Sequence, residues 1–161
     1  MSALRRILVP VDQSDCSRAA LRWALELAAP FDAHIDVLHV FEAAHYAGVD
    51  QTTMIGRPGH SVGEYLRAQA KDELAAFMRE IAGDSGRVRA EMIDGDPAMA
   101  IVAAAERYDL VVMGRHGRTG LMHLLAGSVT ERVLHRTHRP ILIVHRADVR
   151  REPSGPHRSA K

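Results

Sequence analysis

Asparagine is absent from this chain of 161 residues, lysine occurs only at Lys71 and Lys161, and cysteine only at Cys16. A lone cysteine excludes an internal disulfide framework, offers no cluster for a zinc site and fits a reducing compartment. Aromatic residues make up 4% of the chain, which leaves little with which to stack single-stranded bases or to hold a flavin. Basic and acidic residues nearly cancel, 21 against 20, so no global field recruits nucleic acid or an anionic membrane. No apolar run approaches the roughly 18 residues that read as a membrane span. Residues Met1 to Arg6 run straight into a short apolar stretch that closes at Pro10 and Asp12, far short of a signal peptide's core and cleavage site. The expected setting is cytoplasmic, with neither nucleic acid nor membrane as partner.

The length suits one domain with a real core, and 47% hydrophobic against 25% charged residues is a globular balance. Five short apolar runs, rich in β-branched residues, read as strands: Ile7–Val11, His34–Val40, Val88–Ile93, Leu110–Met113 and Ile141–Val144. Helical signals lie between them. Ser14 or Asp15 can cap a helix whose apolar face holds Ala19, Ala20, Trp23, Ala24 and Leu27. Ser61 to Glu64 forms a capping-box pattern, Asp96-Pro97 a cap followed by proline, and Ser128 to Glu131 a second box opening a helix that ends before Pro140. Alternation of strand and helix implies an α/β domain, a parallel sheet with helices on both faces and right-handed crossovers. The expected domain is 1–146, with 147–161 a basic, flexible tail; Glu42 to His60 is a second segment expected to be mobile. The last strand has little polar relief, so an edge position would call for a partner, and homodimerisation through Ile141 to Val144 is expected.

The strongest chemical signal follows the fourth strand. Gly114-Arg115-His116-Gly117-Arg118-Thr119-Gly120 leads on to Gly127-Ser128 at a helix start. Glycines permit close backbone approach, and a helix start presents unpaired N–H groups with partial positive charge, so an anion suits the loop. Arg115, His116 and Arg118 add side-chain donors. The lysine and adjoining hydroxyl of a standard P-loop are missing, as is the dinucleotide glycine spacing. Taken locally, a plain turn before a capped helix remains open.

The spacing Gly114, two residues, Gly117, nine residues, Gly127-Ser128 resembles the ATP-binding signature of the universal stress protein family. So do Arg6-Ile7-Leu8-Val9-Pro10-Val11-Asp12, the strand end Val111-Val112-Met113-Gly114, and Arg139-Pro140-Ile141-Leu142-Ile143-Val144; the likeness covers residues 5 to 145. It implies a Rossmann-like, five-stranded parallel sheet in the order 3-2-1-4-5, usually a homodimer, with ATP bound at the switch point between strands 1 and 4. By that resemblance Pro10, Val11 and Asp12 border adenine and ribose, and the Val40 backbone meets the adenine edge. Met113 and Gly114 approach the ribose, while Gly117, Gly127, Ser128 and Val129 approach the phosphates. Arg115, His116 and Thr130 complete the candidate set. Mg²⁺ or Mn²⁺ would bridge the phosphates rather than occupy a protein cage.

Several of these residues also have plain structural readings. Asp12 is placed equally well as a helix-cap neighbour, and Ser128 can cap and bind at once. The histidines, His135 and His138 above all, lack the partner pattern of a metal site and read as surface or satisfied groups. Cys16 reads as buried and unreactive before it reads as a redox sensor. The expected function is an ATP-binding regulatory protein for an unidentified partner. A slow ATPase or phosphotransferase, and a dimeric interaction module without nucleotide, are the alternatives; no paired acid and base beside the glycine loop favours turnover.

Overall fold

The computed structural model describes residues 4–42, 62–83, 85–117 and 128–145. Strand β1 (Arg6–Pro10) pairs in parallel with β2 (His34–Phe41) on one side and β4 (Leu110–Gly114) on the other. Outside β2 lies β3 (Val88–Asp94) and outside β4 lies β5 (Ile141–Val144), which gives the order β3-β2-β1-β4-β5. This is the α/β sheet that the resemblance implied.

Helices α1 (Asp15–Ala28), α2 (Val62–Ile81), α3 (Pro97–Ala105) and α4 (Ser128–Leu134) lie between the strands. Strand alternation sorts them into two layers. Ile7, Val9, Ile35, Val37 and Val112 join one core with α1 and with Leu74 and Phe77 of α2. Leu8, Leu38, Val111 and Met113 join the other with α3 and with Val133 of α4. Ile7 to Pro10 are buried throughout because both faces of β1 are covered. β3 exposes Arg89 and Glu91, the polar residues that suit a strand near solvent, and Ala90 between them is exposed as well. β5 forms the opposite edge, with Ile141, Leu142 and Ile143 half-buried.

Local chemistry sets the helix starts. Ser14 Oγ accepts the Ser17 N–H at 3.2 Å, and Asp96 accepts the Met99 N–H at 2.9 Å with Pro97 opening α3. The buried face of α1 differs from the one read in the sequence: Ala19, Ala20, Leu21 and Ala24 are the deepest residues, while Trp23 and Leu27 flank the core half-buried. Small side chains let the helix sit close to the sheet, and an indole on the central face would hold it off. The segment 43–60, Ser61, the stretch from Arg118 to Gly127 and the tail 147–161 lie outside the described residues, and so do the expectations placed on them. Among the described residues no helix is long and apolar enough to cross a membrane.

Candidate functional site

The ladder between β1 and β4 holds two register pairs, Ile7 with Leu110 and Leu8 with Val111, whereas β1 stays paired with β2 as far as Pro10 and Leu38. Beyond Leu8 the two central strands part. The direction in which strands are added to the sheet reverses here, since β2 and β3 lie to one side of β1 and β4 and β5 to the other, and such a switch point leaves a crevice at the strand carboxyl ends.

The chain leaving β1 is tied into a knot. The Asp12 carboxylate accepts from Ser17 Oγ at 2.5 Å and from the Ser14 N–H at 3.1 Å, while the Asp12 N–H donates to Ser17 Oγ at 3.0 Å. Gln13, between them, has a φ of 64°, a left-handed conformation unusual for a side chain of its size. Asp12 therefore fills the cap-neighbour role and also faces the crevice.

At the end of β4 the glycines have steric work. A Cβ on Gly114 would stand 2.7 Å from Cys16 Cβ and 2.9 Å from its carbonyl carbon, and a Cβ on Gly117 would stand 2.6 Å from Asp12 Oδ2. The first glycine lets the start of α1 rest on β4; the second lets the loop pass over the Asp12 carboxylate. Thr130 Oγ1 donates to the Gly114 carbonyl at 3.0 Å and fastens α4 to the same strand end. Cys16 is a buried free thiol packed into this junction.

A cleft of about 430 Å³ fills the crevice. Most of the residues predicted from sequence meet in it: Pro10, Val11 and Asp12 from the end of β1, Val40 from β2, Met113 and Gly114 from β4, His116 and Gly117 from the loop, and Val129 and Thr130 from α4. Arg115 does not line it; its Nη1 is in contact with His145 Nε2. Ser128 opens α4, although its side chain, like Gly127, falls outside the described residues. His116 meets the His145 ring edge-on, with centroids 6.1 Å apart. Its Nδ1 is buried without a hydrogen-bond partner among the described residues, and an orphaned polar atom in a cleft wall is a vacancy for a ligand group.

Sequence reasoning missed the rest of the lining. His39 is buried, and its Nδ1–H donates to the Val11 carbonyl at 2.9 Å, which fixes the ring tautomer and binds β2 to the chain leaving β1. Leu66, Gln69, Ala70 and Glu73 of α2 form one wall, Pro97 and Ile101 of α3 another. The spacing 66, 69, 70, 73 marks one helix face, a signal present in the sequence; what that face would meet was not.

Ion pairs brace the surroundings. Arg67 of α2 grips Asp94 at the end of β3, with Nη2 to Oδ2 at 3.0 Å, and Arg132 of α4 makes two 2.9 Å bonds to Asp96. Hydrogen bonds from these guanidinium groups hold both carboxyls below the usual aspartate range, with the Met99 N–H adding to the effect at Asp96. Both pairs are solvent-exposed, so their worth is orientation more than stability. Among the described residues no group of three His, Cys, Asp or Glu side chains is placed to hold a metal.

The Universal stress protein family pattern matches residues 3–145. A universal stress protein of Methanocaldococcus jannaschii is 35% identical over 146 residues, spanning 87% of this chain and 81% of that one. The solved structure of another from the same organism, MJ0577, superposes with a TM-score of 0.72 at 26% identity, covering 89% of this chain and 97% of that one. A universal stress protein crystallised in complex with cAMP superposes with a TM-score of 0.56 at 26% identity, covering 90% and 99%. The matched region takes in every strand and helix that shapes the cleft, and this chain belongs to the universal stress protein family.

Proposed function

We propose that the protein is a nucleotide-dependent regulatory protein of the stress response, and that its ligand is an adenine nucleotide, ATP first, held in the cleft where β1 and β4 part. The observation that carries this reading is the cleft's division of character. Toward β2, α2 and α3 it is walled by Leu38, Val40, Leu66, Ala70 and Ile101, apolar surface suited to a base. Toward the glycines it offers Asp12, Thr130 and His116 Nδ1, unpaired among the described residues, groups suited to ribose hydroxyls and phosphate oxygens. Gly117, Gly127, Ser128 and Val129 belong to the phosphate end in this reading, and Mg²⁺ or Mn²⁺ would arrive with the phosphates. The relative crystallised with cAMP supports the ligand class.

Binding is the output we assign, rather than turnover. The carboxylate nearest the glycines, Asp12, is already committed to Ser17 and to the Ser14 N–H, which leaves it poorly placed to serve as a general base. We further propose that residues 1–146 act as one unit with 147–161 as an appended tail, that the protein works in the cytoplasm, and that two copies associate along β5 to present a surface to a regulatory partner. The test is nucleotide content after purification without added ligand, then calorimetric titration of stripped protein with ATP, AMP and cyclic AMP. Bound adenine nucleotide and a saturable ATP isotherm are expected; no binding of any of the three would overturn the reading.

A further inference from the structure

The α2 wall of the cleft carries two polar side chains one helical turn apart. Gln69 Nε2 donates to Glu73 Oε1 at 3.2 Å, and both residues line the cleft beside Leu66 and Ala70. A carboxylate accepts and does not donate, so chemistry decides which end of the amide faces it: the NH₂ turns to Glu73 and the carbonyl oxygen is left over. Among the described residues that Oε1 takes no hydrogen bond. What Gln69 brings to the α2 wall of the cleft is therefore an acceptor oxygen, with its NH₂ engaged by Glu73.

Purines differ at one edge in just this respect. Adenine carries an amino donor at C6, whereas hypoxanthine and guanine carry a carbonyl oxygen there. An acceptor held at the base end attracts the first and repels the other two, and selectivity built on such a repulsion needs no large contact area. We infer that Gln69 is a base-reading residue that favours adenine through its Oε1, and that Glu73 is a positioning residue that keeps the amide from turning over. The inference rests on the adenine-nucleotide reading of the cleft and adds a side chain that reads the base.

ATP and inosine triphosphate share sugar and phosphates and differ at C6 and in the proton on N1, so the change in the ratio of their affinities when Gln69 alone is altered reports this contact. Calorimetry on the full chain is expected to show ATP binding tighter by on the order of tenfold. Gln69→Ala should lower the ratio several-fold, chiefly by weakening ATP, with any remaining preference left to the Val40 backbone. Glu73→Gln, which can accept as well as donate, releases the amide and should lower the ratio in the same direction. Gln69 is exposed and alanine is the better helix former, so the first variant should fold, as a thermal melt would verify. A Gln69→Ala protein with the wild-type ratio overturns the base-reading role while the nucleotide site stands, and a wild-type ratio in Glu73→Gln overturns the positioning role. A wild-type protein that binds neither nucleotide overturns the site, and this inference with it.

Discussion

Cys16 and Gly114 meet where the two central strands part, with so little room that a Cβ on the glycine would lie 2.7 Å from the cysteine's own. The first glycine of the loop is thus required by the packing of α1 on β4, whatever the cleft binds. Its neighbours are Cβ and backbone rather than the tip of a flexible chain, so relief requires the helix to move.

Gly114→Ala is accordingly expected to lower stability by about 2–3 kcal/mol, toward the upper end of overpacking costs. Urea unfolding would measure it. Making the change in a Cys16→Ala background should restore nothing, because alanine keeps both the Cβ and the carbonyl carbon that clash. A midpoint like wild type would mean that α1 can withdraw without cost.

Gly117 should behave differently. It is exposed, and among the described residues its added Cβ would meet only the Asp12 carboxylate. Gly117→Ala is expected to lower stability by about 1 kcal/mol, less than at Gly114, because the Asp12 side chain must turn partly out of its hydrogen bonds to Ser14 and Ser17. Displacing the Asp12 carboxylate should weaken ATP binding on the order of tenfold. Titration beside a urea curve separates the two effects; unchanged affinity would remove Asp12 from the site.

Asp109 governs the acid response at the other end of the sheet. Its carboxylate accepts the N–H groups of Arg5 and Arg6 at 2.9 Å each, and these hydrogen bonds, Arg5 first, hold its carboxyl below the usual aspartate range. A carboxyl depressed by folding contributes stability that is complete above its unfolded value, about 3.9 for aspartate, and that disappears as pH falls through the folded value. Asp109→Asn should therefore be less stable than wild type at pH 7, with the gap closing as pH falls below about 4. Urea midpoints between pH 7 and pH 3 provide the check. A gap that persists undiminished at the acid end would contradict the assignment.

The β5 edge yields a prediction about assembly. Ile143 is half-buried on an edge strand whose one strand neighbour among the described residues is β4. Ile143→Lys is expected to shift the protein from dimer to monomer in sedimentation velocity while circular dichroism keeps its wild-type form. A dimer that persists with the fold intact would move the interface elsewhere.

The strands could be read from the chain because each announces itself within a few residues: Ile7 to Val11 is apolar on both faces, and Arg89 and Glu91 mark a strand near solvent; their order came with the family resemblance. Ser14 and Asp96 were legible as caps for the same local reason. Trp23 misled, since helical spacing identifies a face but not how close the facing strand will come. The site divided along the same line. The glycines were legible from the composition of the segment that leaves β4 and Asp12 through the family resemblance, whereas His39, Gln69 and Glu73 reach the cleft only because β2 and α2 are packed where they are, a relation between segments distant in sequence. The steric reason for Gly114 was likewise invisible, because its counterpart, Cys16, stands nearly a hundred positions earlier.

Gly114 also joins the two helical layers. On one face of the sheet α1 bears on its α-carbon through Cys16; from the other layer, α4 holds its carbonyl through Thr130. A displacement of either helix is delivered to this residue, which has no side chain to yield and a main chain already in the sheet. The strand end is a common seat: the same residue sets how closely α1 can lie on one face of the sheet and where α4 is tied from the other.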